Sequence, residues 1–332
     1  MTGWDSLIGH QRVVQSLQRA VTEDRPNHAY LLLGAPGVGK RAVADTLARA
    51  LVCAHDTPAC RPCGECGPCG KVSAGTHPDV WVEEPSGKSH SISTDQITEL
   101  QRKLSYRRAE GRYRVVVLDE ANRTGTQAQN KLLKTLEEPP EGTVLILCAV
   151  HPGQLLITVR SRCQKITLGI VAPDTIEPWL VDRHGAAPHE AARAANGSRG
   201  LPGLAVALLD SERSAERQAR LTGLSEALTG KRDSIDLLVT SVDRDRAACE
   251  EVLTTLQELL RDAMLAGAGA LTDPIHPGAL PERGLLSSLS PRQLADRIAR
   301  VEVSRERLRR NVGPAVLLED LLVYLSVESP RP

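Results

Sequence analysis

The chain has 332 residues with 41 basic and 41 acidic side chains, so its formal net charge is zero. This balance excludes a protein that coats nucleic acid through bulk positive charge, but it does not exclude a local basic patch. The length is sufficient for two or three domains, and because aromatic residues make up 2% and Phe is absent, the core must be built from Leu, Val, Ile and Ala.

The N-terminal sequence MTGWDSLIGHQ has no basic region followed by an apolar run, and so lacks the pattern of a signal peptide. No apolar stretch approaches the length of a membrane span. We therefore expect a cytoplasmic protein without membrane contact, whose 8 cysteines are reduced.

Short apolar strands alternate with helical patterns over the first half of the chain. The predicted strands are residues 29–34, 79–84, 114–120, 143–150 and 164–168. Between them, apolar residues recur at the three- and four-residue spacing of amphipathic helices, as at Val43, Leu47 and Leu51. This alternation predicts an α/β fold with a parallel sheet covered on both faces, which binds ligands at the carboxyl ends of its strands.

The segment GAPGVGK, residues 34–40, has the G-x-x-x-x-G-K spacing of a phosphate-binding loop and lies between a predicted strand and a predicted helix. Gly34, Gly37 and Gly39 would let the backbone approach phosphate oxygens, and Lys40 would reach the β- and γ-phosphates. The alternative is a glycine-rich turn that binds no ligand.

The next residue, Arg41, stands where a Ser or Thr hydroxyl would ligate Mg²⁺, which a guanidinium cannot do. It also places a cation in the first helical turn, where the helix dipole disfavours one. We therefore predict that ATP can bind at Lys40, but with impaired placement of Mg²⁺ and with slow or absent hydrolysis.

A cysteine-rich segment, CAHDTPACRPCGECGPCG, follows the helix after the loop. Its five cysteines are Cys53, Cys60, Cys63, Cys66 and Cys69. Overlapping C-x-x-C spacings in a reducing compartment predict a metal site, and one tetrahedral Zn²⁺ would use four thiolates and leave one spare. An iron–sulfur cluster and a redox dithiol are the alternatives; the spacing of the last Cys and the following Gly70, where Pro is usual, disfavour the cluster.

Asp119 and Glu120 end the predicted strand in VVVLDEAN. One carboxylate at such a strand end can hold Mg²⁺, and its neighbour can polarise an attacking water. The alternative is an acidic pair at an ordinary strand end, and the position downstream of the loop favours the nucleotide site.

The second half of the chain is predicted to be all-α. Apolar faces recur at helical spacing, as at Val252, Leu256 and Leu259. The final stretch PAVLLEDLLVYL, residues 314–325, is apolar nearly all round and is therefore predicted to be buried in a helical bundle.

Several motifs together resemble the AAA+ clamp-loader subunits of bacterial DNA polymerase III. The motifs are the phosphate loop, LDEAN, NKLLKTLEEPPEGT at 130–143, VRSRC at 159–163 and the cysteine segment. AGTHPDV at 74–80 is similar to the delta-prime branch rather than the gamma/tau branch, and NVGPAVLLEDLL at 311–322 is similar to the family's last collar helix. The resemblance is dense over residues 1–170, thinner in the middle of the chain, and returns at the C-terminus.

This resemblance implies a P-loop domain over residues 1–170 with a zinc module at 53–69, a small helical lid at 171–212, and a helical collar that joins an oligomer at 213–332. It also implies the ligands of a structural Zn²⁺. They are Cys53, Cys63, Cys66 and Cys69, which leaves Cys60 spare.

The resemblance further implies a role in a hetero-pentamer with delta and gamma/tau subunits, which opens the sliding clamp and closes it on primed DNA. The delta-prime subunit is the stator of that complex and gives an arginine to the neighbouring ATPase site, a role that falls on Arg162 of Ser161-Arg162-Cys163. A guanidinium supplied in trans offsets charge on the transferring phosphoryl group, and Lys does not reproduce its planar donors.

Two other functions remain open at this point. One is a gamma/tau-like ATPase motor, because Lys40, Asp119 and Glu120 are retained, although Arg41 lacks the hydroxyl that such a site needs. The other is a stand-alone P-loop switch protein regulated by zinc or by redox chemistry.

Overall fold

The structure is a computed structural model that describes residues 3–87, 90–209, 211–268, 286, 289–310 and 312–326. The chain divides into two compact units. They are Met1–Pro188 with Gly200–Ala205, and His189–Arg199 with Val206–Pro332. The three-part division at residues 170 and 212 stays a prediction.

The first unit is built on a five-stranded parallel sheet. Its strands are β1 (Ala29–Leu33), β2 (Val80–Glu83), β3 (Arg114–Leu118), β4 (Thr143–Ala149) and β5 (Gln164–Thr167). Their order across the sheet is β2-β3-β4-β1-β5, and all four neighbouring pairs are parallel. The predicted strands and the parallel α/β sheet are thereby confirmed, with strand ends that differ by no more than two residues.

Helices cover both faces of this sheet. In the first unit they are α1 (Gln11–Thr22), α2 (Lys40–Val52), α3 (Gly67–Ser73), α4 (Thr94–Ser105), α5 (Thr126–Glu137), α6 (Ile157–Arg160) and α7 (Pro173–His184). Alternate strand residues point to opposite faces, so Val117 packs in one core with α1 and α2, while Val116 packs in the other with α4 and α5. Helix α5 ends just before Pro139-Pro140, as a proline pair requires.

The described residues that follow are mainly helical. Its described helices are α8 (Pro188–Gly197), α9 (Pro202–Leu209), α10 (Ser211–Leu228), α11 (Arg232–Val242), α12 (Arg246–Gly267), α13 (Pro291–Arg309) and α14 (Pro314–Leu325). A single apolar core joins α10 to α14 and includes Leu256 of α12 and Leu318 of α14. The predicted all-α second half is confirmed within the described residues.

The last helix is less buried than its composition predicts. Leu317, Leu321 and Leu325 lie in the core, whereas Val316 and Tyr324 are exposed. The predicted packing of α14 into a helical bundle is confirmed for the face that carries these leucines, while the face with Val316 and Tyr324 lies outside the core.

Among the helices that the structure describes, none combines the length and apolar character that crossing a membrane requires.

The start of β2 is tied to the segment before β3 by one buried carboxylate. Asp79 is 2% exposed, and its two oxygens accept hydrogen bonds from the backbone N–H groups of Ala109 (2.9 Å), Glu110 (2.8 Å) and Gly111 (2.7 Å). Burial acts to raise the pKa of Asp79, but these three hydrogen bonds outweigh it and hold the pKa below its ordinary value.

We expect Asp79→Asn to lower the free energy of unfolding of the first unit by about 2–3 kcal/mol. An amide has one oxygen, so at least one of the three buried N–H groups would face an NH₂ group. Because the pKa of Asp79 is depressed on folding, its contribution to stability is present above the unfolded pKa of about 4 and is lost as the pH falls through the folded pKa.

Urea unfolding followed by tryptophan fluorescence measures this effect, since all 3 Trp residues, Trp4, Trp81 and Trp179, belong to the first unit. The control is Asp182→Asn on α7, whose side chain is exposed and should change stability little. Equal unfolding midpoints for the two variants would contradict the proposed tie.

Candidate nucleotide and metal sites

The phosphate loop and the acidic pair meet at the carboxyl edge of the sheet. Strand β1 ends at Leu33 and α2 begins at Lys40, so the loop lies between them. Strand β3 leads directly into Asp119 and Glu120, and β4 lies between β1 and β3. The structure therefore brings the predicted nucleotide-site residues to one edge, where open α/β sheets bind ligands.

Two glycines in the loop have backbone geometry that other residues adopt at a cost. Gly34 has φ +153°, and a Cβ there would lie 2.6 Å from the carbonyl oxygen of Leu168. Gly39 has φ +106° at the N-terminus of α2, and no atom lies within 4 Å of where its Cβ would be. Gly34 is therefore needed by the fold itself, whereas the open space at Gly39 leaves the helix N-terminus accessible to an anion.

Lys40 folds back over the loop. Its Nζ donates hydrogen bonds to the carbonyl oxygens of Gly34 (2.7 Å) and Ala35 (2.9 Å). Burial lowers the pKa of Lys40, and the negative charges of Asp119 and Glu120 partly offset that effect. The ammonium group is thus held at the mouth of the loop.

Arg41 forms ion pairs with three carboxylates. Its Nε donates to Asp45 Oδ1 at 2.8 Å, and its Nη1 donates to Glu84 Oε1 at 2.6 Å and to Asp119 Oδ2 at 3.1 Å. Burial acts to lower the pKa of Arg41, but its hydrogen bonds to Glu84 and Asp45 outweigh this and raise the pKa above its ordinary value.

The predicted magnesium ligand Asp119 is thus already paired with a cation. Its second oxygen, Oδ1, accepts a hydrogen bond from the backbone N–H of Glu120 at 2.9 Å. Both carboxylate oxygens are engaged, and the residue after Lys40 offers no hydroxyl. The residues present do not fit a magnesium ion, which demands oxygen ligands in near-octahedral geometry.

Glu120, the predicted water-polarising residue, is also engaged. Its backbone is in the left-handed region with φ +46°, and its carboxylate forms an ion pair with Arg123. The acidic pair therefore lies where the sequence predicts, but in a geometry in which neither carboxylate is free of a cationic partner.

Four cysteines form a cluster between the end of α2 and the first turn of α3. They are Cys53, Cys63, Cys66 and Cys69, and their sulfur atoms all lie within 4.8 Å of one another. The Cys53 Sγ lies 3.6 Å from that of Cys63 and 3.8 Å from that of Cys66. A tetrahedral ion with metal–sulfur bonds of about 2.3 Å separates its sulfur ligands by about 3.8 Å, so the cluster fits one metal ion.

Two helix ends and the loop between them position the ligands of this cluster. Cys53 caps the C-terminus of α2, Cys63 and Cys66 lie in the loop, and Cys69 lies in α3. The cluster does not include Cys60, which is exposed. The four clustered cysteines are the ones that the family pattern indicates as metal ligands, and Cys60 is the cysteine that the pattern leaves spare.

Local hydrogen bonds favour the thiolate of Cys63. Burial alone would raise the pKa of this thiol, but hydrogen bonds from the backbone N–H groups of Glu65 and Cys66 lower it to about 6. A thiolate is the form that ligates metal, so the loop presents at least one ligand ready to bind near neutral pH.

Arg162 follows the short helix α6 and is held from two sides. Its Nη1 donates to the carbonyl oxygen of Thr158 at 2.9 Å, and its Nη2 lies 2.5 Å from Glu137 Oε1 at the end of α5. The next residue, Cys163, is buried and anchors the turn, while the Arg162 side chain is 34% exposed. The guanidinium is thus fixed at the surface of the first unit.

The sequence did not predict which carboxylates pair with Arg41 and Arg162. Asp45 lies four residues after Arg41 in the same helix, a spacing that could have indicated an ion pair. Glu84 and Glu137 carried no such signal, because each comes into contact only through the packing of separate elements.

Comparison with known proteins gives a consistent set of relatives. Residues 9–171 match the family described as DNA polymerase III, delta subunit. The chain is 33% identical to the DNA polymerase III subunit delta' of Escherichia coli over 307 residues, which cover 91% of this chain and 89% of the relative. It is 29% identical to the subunit delta' of Bacillus subtilis, covering 95% of each chain. The DNA polymerase III subunit tau of Bacillus subtilis is 26% identical over 97% of this chain, which spans 49% of that longer protein.

Proposed function

Because this chain belongs to the delta-prime family of DNA polymerase III subunits, we propose that it is the stator of a clamp loader and supplies an arginine to a neighbouring ATPase. In this role it assembles with delta and gamma/tau subunits in a hetero-pentamer that loads the sliding clamp on primed DNA at the expense of ATP. The identities of 33% and 29% to two delta' subunits, against 26% to the tau subunit, favour this over a gamma/tau-like motor.

The observation that carries the proposal is the placement of Arg162. The guanidinium is anchored by Glu137 and by the Thr158 carbonyl, yet remains partly exposed on a turn that the buried Cys163 fixes. An arginine that acts in trans needs this combination of a rigid base and an accessible tip, because stabilisation of the transition state depends on donors placed in advance.

The experiment is reconstitution. The purified chain is mixed with delta, gamma/tau, clamp and primed DNA, and both complex formation and ATP turnover are measured. We expect a stable complex whose clamp- and DNA-stimulated turnover depends on this chain. A chain that stays monomeric and leaves turnover unchanged would instead support the stand-alone P-loop switch.

The isolated chain is expected to show negligible ATP hydrolysis. Its Asp119 is paired with Arg41 and its Glu120 with Arg123, so neither acid is placed to organise a metal or a water. Phosphate release by the purified chain alone measures this, with the Lys40→Ala variant as the background. Robust turnover by the wild type above that background would favour the gamma/tau-like motor.

We also propose that the ion in the cysteine cluster is a structural Zn²⁺ held by Cys53, Cys63, Cys66 and Cys69. The short sulfur–sulfur distances support a single ion, since a cluster of several iron atoms between the ligands would hold them farther apart. Four protein thiolates would complete the coordination and leave no open position for chemistry, which is typical of structural zinc.

A further inference from the structure

The three carboxylates around Arg41 come from different parts of the first unit. Asp45 lies on α2, Glu84 directly follows β2, and Asp119 directly follows β3. One guanidinium therefore bridges a helix and two strand ends at the carboxyl edge of the sheet, beside the phosphate loop. Such an edge position beside a phosphate loop is where a P-loop protein places a magnesium ion.

The partners of Asp119 compete with that ion. One carboxylate oxygen is paired with Arg41 Nη1 at 3.1 Å and the other accepts the Glu120 backbone N–H at 2.9 Å, so Mg²⁺ would have to share both oxygens with existing hydrogen bonds. The guanidinium also neutralises part of the negative charge of the three carboxylates, which weakens their attraction for a dication.

Arg41 also keeps donors for a ligand. Its Nε and both Nη1 hydrogens are used by the three carboxylates, whereas within the described part of the chain its Nη2 group makes no hydrogen bond. Two N–H donors on a planar, permanently charged group are well suited to phosphate oxygens. Lys40 adds a second cation at the mouth of the same loop.

We propose that Arg41 takes the place of magnesium in this pocket, and that the pocket binds a nucleoside diphosphate without a divalent cation. The loop amides and Lys40 hold the β-phosphate, and the Arg41 guanidinium supplies the positive charge on its far side. A triphosphate carries one more negative charge than a diphosphate. Without a divalent cation that extra charge would lie uncompensated near the three carboxylates that partner Arg41, which favours the diphosphate.

This inference concerns the chain's own pocket and does not depend on the role of Arg162. A failure here would leave the stator proposal intact, and a failure of reconstitution would leave this inference intact.

Binding of a fluorescent ADP analogue to the isolated chain tests it. The dissociation constant is measured with saturating Mg²⁺ and again with EDTA. We expect the wild type to bind with dissociation constants that agree within about twofold. The Arg41→Thr variant frees Asp119 and restores a hydroxyl, so it should bind at least about tenfold more tightly with Mg²⁺ than with EDTA.

The matched control is Arg49→Thr, the same substitution on the same helix. Arg49 donates to the backbone oxygen of Asp45 and to the Thr46 hydroxyl, and hydrogen-bonds none of the three carboxylates, so this variant should behave as the wild type does. A wild type that needs Mg²⁺, or that binds in neither condition, overturns the inference. So does an Arg41→Thr variant that remains indifferent to the metal, or an Arg49→Thr variant that becomes dependent on it.

A second measurement needs only the wild type. Electron paramagnetic resonance of Mn²⁺ distinguishes free from protein-bound ion, and Mn²⁺ takes the oxygen ligands that suit Mg²⁺. With ADP and the wild-type chain we expect no signal of protein-bound Mn²⁺, and a bound signal would contradict the inference even if every variant failed to fold.

Discussion

Arg162→Ala is expected to leave the chain folded and able to assemble, while ATP hydrolysis at the neighbouring site of the complex falls by about 10³-fold or more. The side chain is partly exposed and its partner Glu137 is close to half exposed, so its removal leaves no buried unpaired charge. The loss should therefore appear in turnover rather than in stability. Clamp- and DNA-stimulated ATP hydrolysis by the reconstituted complex, measured beside its assembly by gel filtration, separates the two.

Two companion variants sharpen this result. Arg162→Lys keeps the charge but not the planar pair of donors, so its turnover should stay close to that of Arg162→Ala. Arg160→Ala removes the neighbouring arginine, which forms no ion pair within the described residues, and should hydrolyse ATP at close to the wild-type rate. Unchanged turnover in a complex that contains Arg162→Ala would show that the arginine comes from elsewhere.

The sheet could be predicted because its strands are continuous apolar runs. A segment such as TVLILCA is buried on both faces, which is the pattern that the central strands of a covered parallel sheet require. The helices between the strands could be predicted as well, because residues such as Leu100 and Leu104 recur at the helical period on the face that packs against the sheet.

The cysteine cluster could also be predicted, because its ligands lie within 17 residues and their spacing limits how they can meet. The spacing alone does not show whether Cys53 or Cys60 is the fourth metal ligand. The resemblance to the family indicates Cys53. In the structure Cys53 is buried at the end of α2 and Cys60 is exposed. The end of α2 fixes the position of Cys53, and the following loop brings the other ligands to it.

The charged contacts could not be predicted. Glu84 reaches Arg41 across 43 positions of sequence, and Glu137 reaches Arg162 across 25. These distances depend on how strand ends and helix ends come together, which the apolar pattern decides without reference to charge. The sequence therefore indicates that Arg41 disturbs the magnesium site, but it does not show that the guanidinium is paired directly with Asp119.

We expect the second large effect when one thiol of the cluster is removed, because the chain should then lose its zinc. The purified wild-type chain should contain about one zinc per chain, and Cys66→Ser should contain almost none, because three thiolates and a hydroxyl make a much poorer site than four thiolates. Thermal unfolding of the first unit should shift downward in the variant, since metal binding and folding share free energy.

Cys60→Ser is the matched control, because it removes an exposed thiol from the same segment without touching the cluster. It should keep both the zinc content and the unfolding temperature of the wild type. Metal analysis on the same samples also separates the alternatives: iron in place of zinc would indicate an iron–sulfur cluster, and an absence of metal with reversible thiol oxidation would indicate a dithiol. Equal zinc content in Cys66→Ser and the wild type would remove Cys66 from the ligand set.

The cost of losing the metal should be local rather than global. The cluster fastens α3 to the end of α2, while the β-sheet has its own buried core on both faces. Without an ion, burial disfavours the thiolates of Cys53 and Cys69, whose pKa values are raised, so these two sulfur atoms would take up protons and the cluster would lose the bonds that hold it together. We therefore expect chelation to increase hydrogen exchange and proteolysis in residues 53–73 first, while the strands β1, β3 and β4 keep their protection.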